Sequence, residues 1–153
     1  MDSLDIETPL IVDLDGTLVR TDTLWESVVK LLMKNPLLWF WLPVWMLAGK
    51  TYLKRKIAKK VKLSFKFMPF NLAFLDFLRS EKNKGRKIVL ATGAHQSIAN
   101  EVAKELELFD DVFGSDEINL TGKNKADFLV NNYGAHGFDY AGDSLKDLHV
   151  WSV

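Results

Sequence analysis

The chain has 153 residues, 48% of them hydrophobic, and its 20 lysines and arginines balance 20 aspartates and glutamates. This length suits one domain of ordinary size with a real core, and the balanced charge gives no indication of nucleic-acid binding. The chain has no cysteine, which excludes disulfides and thiolate zinc sites and is typical of proteins in a reducing compartment.

The first predicted element is a short buried strand over residues 10–14, with aspartates at positions 13 and 15. Side chains at i and i+2 of a strand point to the same side. Asp13 and Asp15 should therefore both project from its carboxyl end, where Gly16 lets the chain turn. Two carboxylates this close repel each other unless a cation lies between them, and Mg²⁺ with a substrate phosphate meets that need. The alternative is an ordinary Asp-Gly turn, which does not require this spacing.

A helical insertion is predicted next, over residues 23–68. Its helices are expected near residues 22–34, 36–48 and 50–61. Residues 37–48 are twelve consecutive apolar residues, a run shorter than the roughly 20 residues that span a bilayer. Pro43 is expected to kink the helix that contains them.

Tryptophans in this insertion lie close to lysines along the chain. The tryptophans are Trp25, Trp39, Trp41 and Trp45, and the following basic residues are Lys50, Lys54, Arg55, Lys56, Lys59, Lys60 and Lys62. Tryptophan beside lysine suits a membrane interface and favours contact with a membrane, a lipid substrate or a membrane protein. The alternative is a buried helical hairpin with solvated lysines, although so small an insertion can hardly bury four indole rings.

Strands and helices alternate through the rest of the chain. Helices are predicted near residues 70–83, 95–106 and 123–132, and strands near 87–91, 111–114 and 138–141. This alternation predicts an α/β fold with a parallel sheet and helices on both faces. Ligand sites in such sheets lie at the carboxyl ends of the strands, which is where the remaining polar candidates fall.

Four polar segments together resemble the motifs of the haloacid dehalogenase (HAD) superfamily. They are Asp-x-Asp-Gly-Thr at 13–17, Thr92-Gly93, Lys125 at the start of a helix, and Gly-Asp-x-x-x-Asp at 142–147. The resemblance implies a three-layer Rossmann-like HAD core, formed by residues 1–22 and 69–153, with a helical cap at 23–68. More narrowly, the chain resembles HAD-like domains at the amino end of UbiA-like prenyltransferase polypeptides.

The resemblance also implies a role for each site residue. The expected enzyme is a Mg²⁺-dependent phosphatase that forms an aspartyl-phosphate, with Asp13 as nucleophile and Asp15 as general acid and base. Thr92, Gly93 and Lys125 would bind the phosphoryl oxygens. Asp13, Asp15 (through its carbonyl), Asp143 and Asp147 would hold the metal.

Four of these assignments have alternatives in the sequence. Thr92 could be an ordinary threonine at the end of a strand. Lys123 competes with Lys125 for the lysine role. Asp143 could serve as a helix cap, a role compatible with metal binding. Asp147 could contact only the waters of the metal.

Substrate and partners follow from the apolar cap and from the narrower resemblance. They favour a polyprenyl or other lipid-linked phosphate as substrate and a cytoplasmic protein, peripheral at the inner face of the membrane. Another function is a regulatory HAD-like module that docks on a membrane prenyltransferase or membrane surface, and a third is a phosphomutase. A HAD core normally adds a fifth strand where only residues 148–153 remain, and an unpaired sheet edge favours a homo-oligomer.

Overall fold

The structure of the protein is a computed structural model that describes residues 8–60 and 68–153. The expectations for residues 1–7 and for 61–67, the last part of the predicted insertion, lie outside the described residues. The described elements are β1 (Leu10–Val12), α1 (Thr23–Lys34), a 3₁₀ turn (Pro36–Trp39), α2 (Leu42–Leu47), α3 (Lys50–Lys60), α4 (Leu72–Asn83), β2 (Ile88–His95), α5 (Gln96–Leu106), β3 (Asp111–Ser115), α6 (Gly122–Tyr133), β4 (Asp139–Ala141), a second 3₁₀ turn (Leu145–Asp147) and α7 (Leu148–Trp151).

The described strands form a parallel sheet in the order β3-β2-β1-β4, so β1 is an inner strand. Leu10 of β1 is in register with Ile88 on one side and with Asp139 on the other. The Asp13 amide continues the pairing by donating to the Ala141 carbonyl at 2.9 Å. The residues that follow β1 therefore lie beside those that follow β2 and β4.

Two hydrophobic clusters cover the two faces of this sheet. In β1, Leu10 and Val12 belong to the cluster that α4, α5 and the helices after β1 complete, whereas Ile11 belongs to the cluster that α6 and α7 complete. This alternation follows from the two-residue period of a strand. The predicted three-layer α/β fold with helices on both faces is confirmed.

The helices between β1 and α4 differ in one respect from the sequence prediction. The predicted helix over residues 36–48 is two elements, a 3₁₀ turn and α2, and Pro43 lies in the first turn of α2. Proline has no amide to donate, so it is tolerated where a helix starts. The prediction of a kink at Pro43 was wrong, because the proline begins a helix. None of the described helices is both long enough and apolar enough to cross a membrane.

The short helix α7 was not predicted. Val150 of α7 is 1% exposed and joins the cluster formed with α6. Residues 148–151 are thus part of the layer that covers the sheet, and the homo-oligomer stays a prediction.

We predict that α4 tolerates truncation on one face only. Leu78 is fully buried, whereas Leu72 on the same helix is 69% exposed. Leu78→Ala should lower the free energy of unfolding by about 3 kcal/mol, since it leaves a cavity. Leu72→Ala should change it by less than about 0.5 kcal/mol. Urea unfolding followed by circular dichroism measures both, and equal losses would contradict the packing of α4.

Candidate active site

A cavity of about 750 Å³ lies at the carboxyl ends of the strands. Its polar floor includes six of the seven residues that the sequence singled out: Asp13, Asp15, Gly93, Lys125, Asp143 and Asp147. The seventh is Thr92, which the described cavity lining does not include. The volume of the cavity lies in the usual range for small-molecule sites, about 300 to 1,000 Å³. Four segments far apart in sequence thus meet in one place.

A buried lysine connects two of the carboxylates. Lys125 is 2% exposed, and its Nζ donates to Asp13 Oδ1 at 3.0 Å and lies 3.5 Å from Asp147 Oδ1. Lys123, the competing lysine, is exposed. The helical period explains the choice, because Lys125, Ala126 and Leu129 are the buried residues of α6. The structure therefore places Lys125, and not Lys123, against Asp13.

Tyr140 completes this buried network, although the sequence analysis gave it no role. Its hydroxyl accepts from Lys125 Nζ at 2.9 Å and donates to Asp147 Oδ1 at 2.7 Å. Burial and the nearby Asp13 raise the pKa of Tyr140, so the hydroxyl stays protonated as a donor. Asp147 Oδ2 accepts the Ser144 amide at 3.0 Å. Both oxygens of Asp147 are therefore engaged, which fixes this carboxylate at the edge of the site.

The protonation of Asp13 depends on two opposed effects. Burial raises the pKa of Asp13, and the Lys125 ammonium opposes this rise by favouring the carboxylate. Removing Lys125 would leave the buried group neutral or uncompensated. The lysine therefore favours the ionised form that a nucleophile requires.

Asp15 lies next to Asp13 but has different surroundings. Its Oδ1 accepts the Thr23 amide, the first residue of α1, at 2.8 Å. Burial raises the pKa of Asp15 to about 6. The two aspartates of the first motif thus differ, because Asp13 has a lysine partner, whereas Asp15 accepts a backbone amide at a helix start.

Asp143 brings a third carboxylate to the same place. Oxygen atoms of Asp13, Asp143 and Asp147 all lie within 4.8 Å of one another. Across residues 8–60 and 68–153, no protein group donates a hydrogen bond to the Asp143 carboxylate, which is free to bind a ligand. Gly16 has a φ of +80°, and a side chain there would overlap Asp143. The glycine is therefore required both for its backbone conformation and for the approach of Asp143.

The two residues of the Thr92-Gly93 segment differ in their access to the cavity. Gly93 lines the cavity, whereas Thr92 is completely buried, and its hydroxyl oxygen accepts the Ala94 amide at 3.0 Å. The pairing of β2 with β3 is irregular between Ala91 and His95, so the regular strand pairing is interrupted at Thr92 and Gly93. The role of Thr92 in binding a phosphoryl oxygen stays a prediction.

Lys54 of α3 also reaches this floor, which the sequence analysis missed. Its Nζ donates to the Gly93 carbonyl and to Asn119 Oδ1, the latter at 2.8 Å. Burial lowers the pKa of Lys54. In the sequence, Lys54 is one of many basic residues of a helix, and nothing in that pattern distinguishes the one that turns inward.

The helices α1, α2 and α3 give the cavity a largely apolar wall. Its apolar side chains are Leu24, Trp25, Val28, Leu42, Met46 and Leu53, and α3 adds Lys50 and Lys54. Trp25 is 67% exposed and Met46 is 61% exposed, so the wall continues to the outer surface of these helices. The cavity therefore has an ionic floor and an apolar wall that opens outward.

Sequence relatives agree with the motifs. The family profile described as haloacid dehalogenase-like hydrolase matches residues 10–150. The protein y4nM of Sinorhizobium fredii is 36% identical over 155 residues, which cover 100% of this chain and 30% of y4nM. The chain therefore spans less than a third of the length of this curated relative.

Solved structures share the fold. A HAD family hydrolase from Salmonella enterica serovar Typhi is 17% identical, with a TM-score of 0.69 over 98% of this chain and 60% of that chain. A protein from Bordetella pertussis is 11% identical, with a TM-score of 0.68 over 95% of this chain and 86% of that chain. A phosphoserine phosphatase in apo form is 15% identical, with a TM-score of 0.64 over 95% and 82%. At these low identities the TM-scores indicate a common fold alone, which does not by itself determine a substrate.

We predict that Lys125 is required for stability in the absence of metal. Lys125→Met leaves the buried Asp13 and Asp147 without their counter-charge and should cost about 3 kcal/mol of unfolding free energy. Lys123→Met removes an exposed lysine of the same helix and should cost less than about 0.5 kcal/mol. Chemical unfolding in the presence of a chelator measures both.

A double variant provides the control. Adding Asp13→Asn to Lys125→Met removes one of the two uncompensated carboxylates and should restore part of the lost stability. Equal stability of the two single lysine variants would contradict the buried network.

Proposed function

The chain belongs to the haloacid dehalogenase-like hydrolase family, and we propose that it is a Mg²⁺-dependent phosphatase acting on phosphomonoesters through an aspartyl-phosphate. The observation that supports this activity most directly is the convergence of Asp13, Lys125 and Asp143 on one cavity floor, with Asp15 beside them. A carboxylate nucleophile, a fixed cation and a potential acid are what this reaction needs.

In the first step the Asp13 carboxylate attacks phosphorus. A bond forms between a carboxylate oxygen and phosphorus, and the bond from phosphorus to the ester oxygen breaks. Two negatively charged groups repel each other, so the reaction requires positive charge at the contact. Lys125, 3.0 Å from Asp13, supplies such a charge without having to move during the reaction.

Asp15 provides the proton for the leaving ester oxygen. Its pKa, raised to about 6 by burial, leaves more of the carboxyl protonated near neutral pH than an ordinary aspartate would be. In the second step the resulting carboxylate takes a proton from a water molecule that attacks phosphorus. The bond to Asp13 then breaks, and inorganic phosphate leaves.

Gly93, Thr92 and Lys125 bind the phosphoryl oxygens in this proposal. Gly93 lines the cavity, and a backbone amide there could donate to an oxyanion. Thr92 is buried behind it with its hydroxyl oxygen bonded to the Ala94 amide. A small rotation of this segment would be needed for the Thr92 hydroxyl to reach the phosphoryl group directly.

The oxygen donors of the site fit a hard divalent cation. Carboxylate oxygens of Asp13, Asp143 and Asp147 come within 4.8 Å of one another, and oxygen is the donor that Mg²⁺ prefers. Asp13 and Asp143 would be direct ligands with the Asp15 carbonyl, whereas Asp147, engaged by Tyr140 and Ser144, would hold bound water or complete the set. When bound, the ion supplies charge that reduces the repulsion between the phosphate and the carboxylates.

The apolar cavity wall supports an amphiphilic substrate, such as a lipid-linked or prenyl phosphate. Leu24, Leu42 and Met46 line the same cavity as the carboxylates, and an alcohol attached to the phosphate would contact them. A sugar or amino acid would leave this wall in contact with polar groups, at a cost in desolvation. A hydrocarbon chain would be favoured there by about 0.8 kcal/mol per buried methylene.

A second candidate function is a regulatory module that docks on a membrane prenyltransferase or on a membrane. The exposed apolar side chains of α1 and α2 favour it, as does the much greater length of y4nM. Docking alone, however, does not require a buried lysine among three carboxylates. The presence of these residues in one site therefore favours catalysis.

We predict that Asp13→Asn abolishes phosphate release. With p-nitrophenyl phosphate and Mg²⁺, the parent chain should hydrolyse the ester, and the variant should lose at least about 10³-fold in kcat because it lacks the nucleophile. A chelator should abolish the activity of the parent, and added Mg²⁺ should restore it. Asp127→Asn, which alters an exposed aspartate outside the cavity lining, is the control and should keep full activity. Equally negligible rates for parent and variant on a broad panel of phosphate esters would favour the docking module.

We also predict a dependence on alkyl chain length. For n-alkyl phosphates in solution, kcat/KM should rise with each added methylene by up to about fourfold until the wall is covered. Leu42→Gln should flatten this dependence, because Leu42 lines the wall, and should leave the rate on methyl phosphate nearly unchanged. A parent protein whose kcat/KM does not change with chain length would contradict an amphiphilic substrate.

A further inference from the structure

The outer side of the segment from the first 3₁₀ turn to α2 is an apolar surface exposed to solvent. We call it the apolar cap surface and define it by six side chains that are 52% to 90% exposed: Leu37, Trp39, Phe40, Trp41, Val44 and Leu47. Trp45, on the inner side of the same segment, is buried in the core. The segment therefore packs on the core through Trp45 and the half-buried Leu38 and Leu42, and it leaves most of its other large side chains outside. Exposed apolar groups of this kind are typical of interaction sites.

The charged residues along this part of the chain all have the same sign. Residues 27–60 contain eight lysines and arginines and no aspartate or glutamate, although the whole chain has 20 of each class. Lys34 and Lys50, both exposed, flank the uncharged stretch 35–49. An apolar centre with a basic border is complementary to an anionic amphiphilic surface.

A second copy of the chain is a poor occupant for the same reason. In a twofold dimer the same patch would face itself, so the basic borders of two copies would lie against each other. Their repulsion would oppose the association of these patches. A bilayer that contains anionic lipids has no such conflict, and its interface is where tryptophan rings are enriched.

The cavity opens toward the same side chains. Trp25 and Met46 line the cavity and are also mostly exposed, and Met46 lies between Val44 and Leu47 of the apolar cap surface. A bilayer that contacted this surface would thus lie near the opening of the cavity. A phosphate at headgroup level would have a short path to the carboxylate floor.

We propose that the apolar cap surface binds the headgroup region of an anionic lipid bilayer and that this contact presents the cavity to phosphate esters anchored in that bilayer. The proposed binding to a bilayer is supported by the exposed side chains and charges alone. The presentation of the cavity to phosphate esters also rests on the proposed phosphatase activity. The aromatic side chains insert at the interface, and the lysines bind anionic headgroups, each contributing roughly a fivefold gain in partitioning.

Sedimentation with lipid vesicles tests whether the apolar cap surface binds a bilayer. The parent chain should sediment with vesicles of phosphatidylcholine and phosphatidylglycerol, less with phosphatidylcholine alone, and less at high salt. Trp39→Glu with Trp41→Glu should reduce partitioning at least tenfold. The matched control is Leu72→Glu with Phe77→Glu, which adds the same charges at exposed positions of α4 and should bind almost as well as the parent.

Tryptophan fluorescence provides a measurement that needs no variant. Lipids brominated on their acyl chains should quench the emission of the parent chain, because three tryptophans are more than half exposed on this side of the protein. No sedimentation and no quenching with anionic vesicles would overturn the inference. Equal loss of binding in the two double variants, or concentration-dependent dimerisation that the tryptophan variant abolishes without any vesicle binding, would also overturn it.

An activity assay separates this inference from the proposed function. The tryptophan double variant should keep the parent rate on p-nitrophenyl phosphate in solution and lose at least tenfold in rate on a dialkyl glycerol phosphate embedded in vesicles. Asp13→Asn should bind vesicles normally and hydrolyse neither substrate. Vesicle binding without any phosphatase activity would support the membrane-binding surface and contradict the proposed catalysis. Activity on p-nitrophenyl phosphate without vesicle binding would support the catalysis and contradict the membrane-binding surface.

Discussion

The ion pair between Lys125 and Asp13 is the interaction on which the candidate site depends. Its two partners are among the least exposed charged groups of the structure, and burial of either one alone would be strongly unfavourable. The pair forms only if α6 packs on the sheet at the right height and β1 ends at the right residue. Asp147, which Tyr140 and Lys125 contact, adds the requirement that the segment after β4 turns back toward β1. The packing of the fold and the composition of the site are therefore one constraint, since an error in any of these elements leaves a buried charge unpaired.

Much of this arrangement could be predicted, because it follows from short-range regularities. The two-residue period of β1 places Leu10 and Val12 on one face and Ile11 on the other, and Asp13 follows directly at the carboxyl end of this strand. The helical period of α6 separates buried Lys125 from exposed Lys123. Parallel pairing then brings the strand ends together without further information. The family motifs lie at those ends, which is why the metal-ligand and lysine candidates meet in one cavity.

Other features depend on contacts that no local pattern reveals. Pro43 can kink a helix or start one, and the choice was set by the 3₁₀ turn before it. The residues of α7 are too few to show a periodicity, and their helix is stabilised by packing of Val150 on α6. Thr92 was expected at the cavity surface, but the irregular pairing of β2 with β3 determines which groups of this segment face inward. The positions of Tyr140 and Lys54 in the site likewise depend on tertiary packing, which the sequence pattern around them does not reveal.

The charge of the chain is distributed unevenly between the cap helices, α1 to α3, and the part of the protein that carries the site. Since residues 27–60 hold eight of the 20 basic residues and none of the 20 acidic ones, the remainder of the chain has 12 basic and 20 acidic residues. The cap helices are therefore attracted to the part of the protein that carries the carboxylates, and Arg55 pairs with Asp116 at 3.6 Å across this boundary.

Lys54 shows what the attraction achieves in the cavity. Its hydrogen-bond partners are the Gly93 carbonyl and the Asn119 side chain, which are dipoles and not charges. Burial lowers the pKa of Lys54, and the more distant Asp15 and Asp22 oppose this effect. The ammonium is thus partly desolvated and only partly compensated, a state that an anion entering the cavity would relieve. An anionic group on the floor would therefore stabilise the contact of α3 with this part of the core, so the charge that attracts α3 to the core also favours the presence of a phosphate beside it.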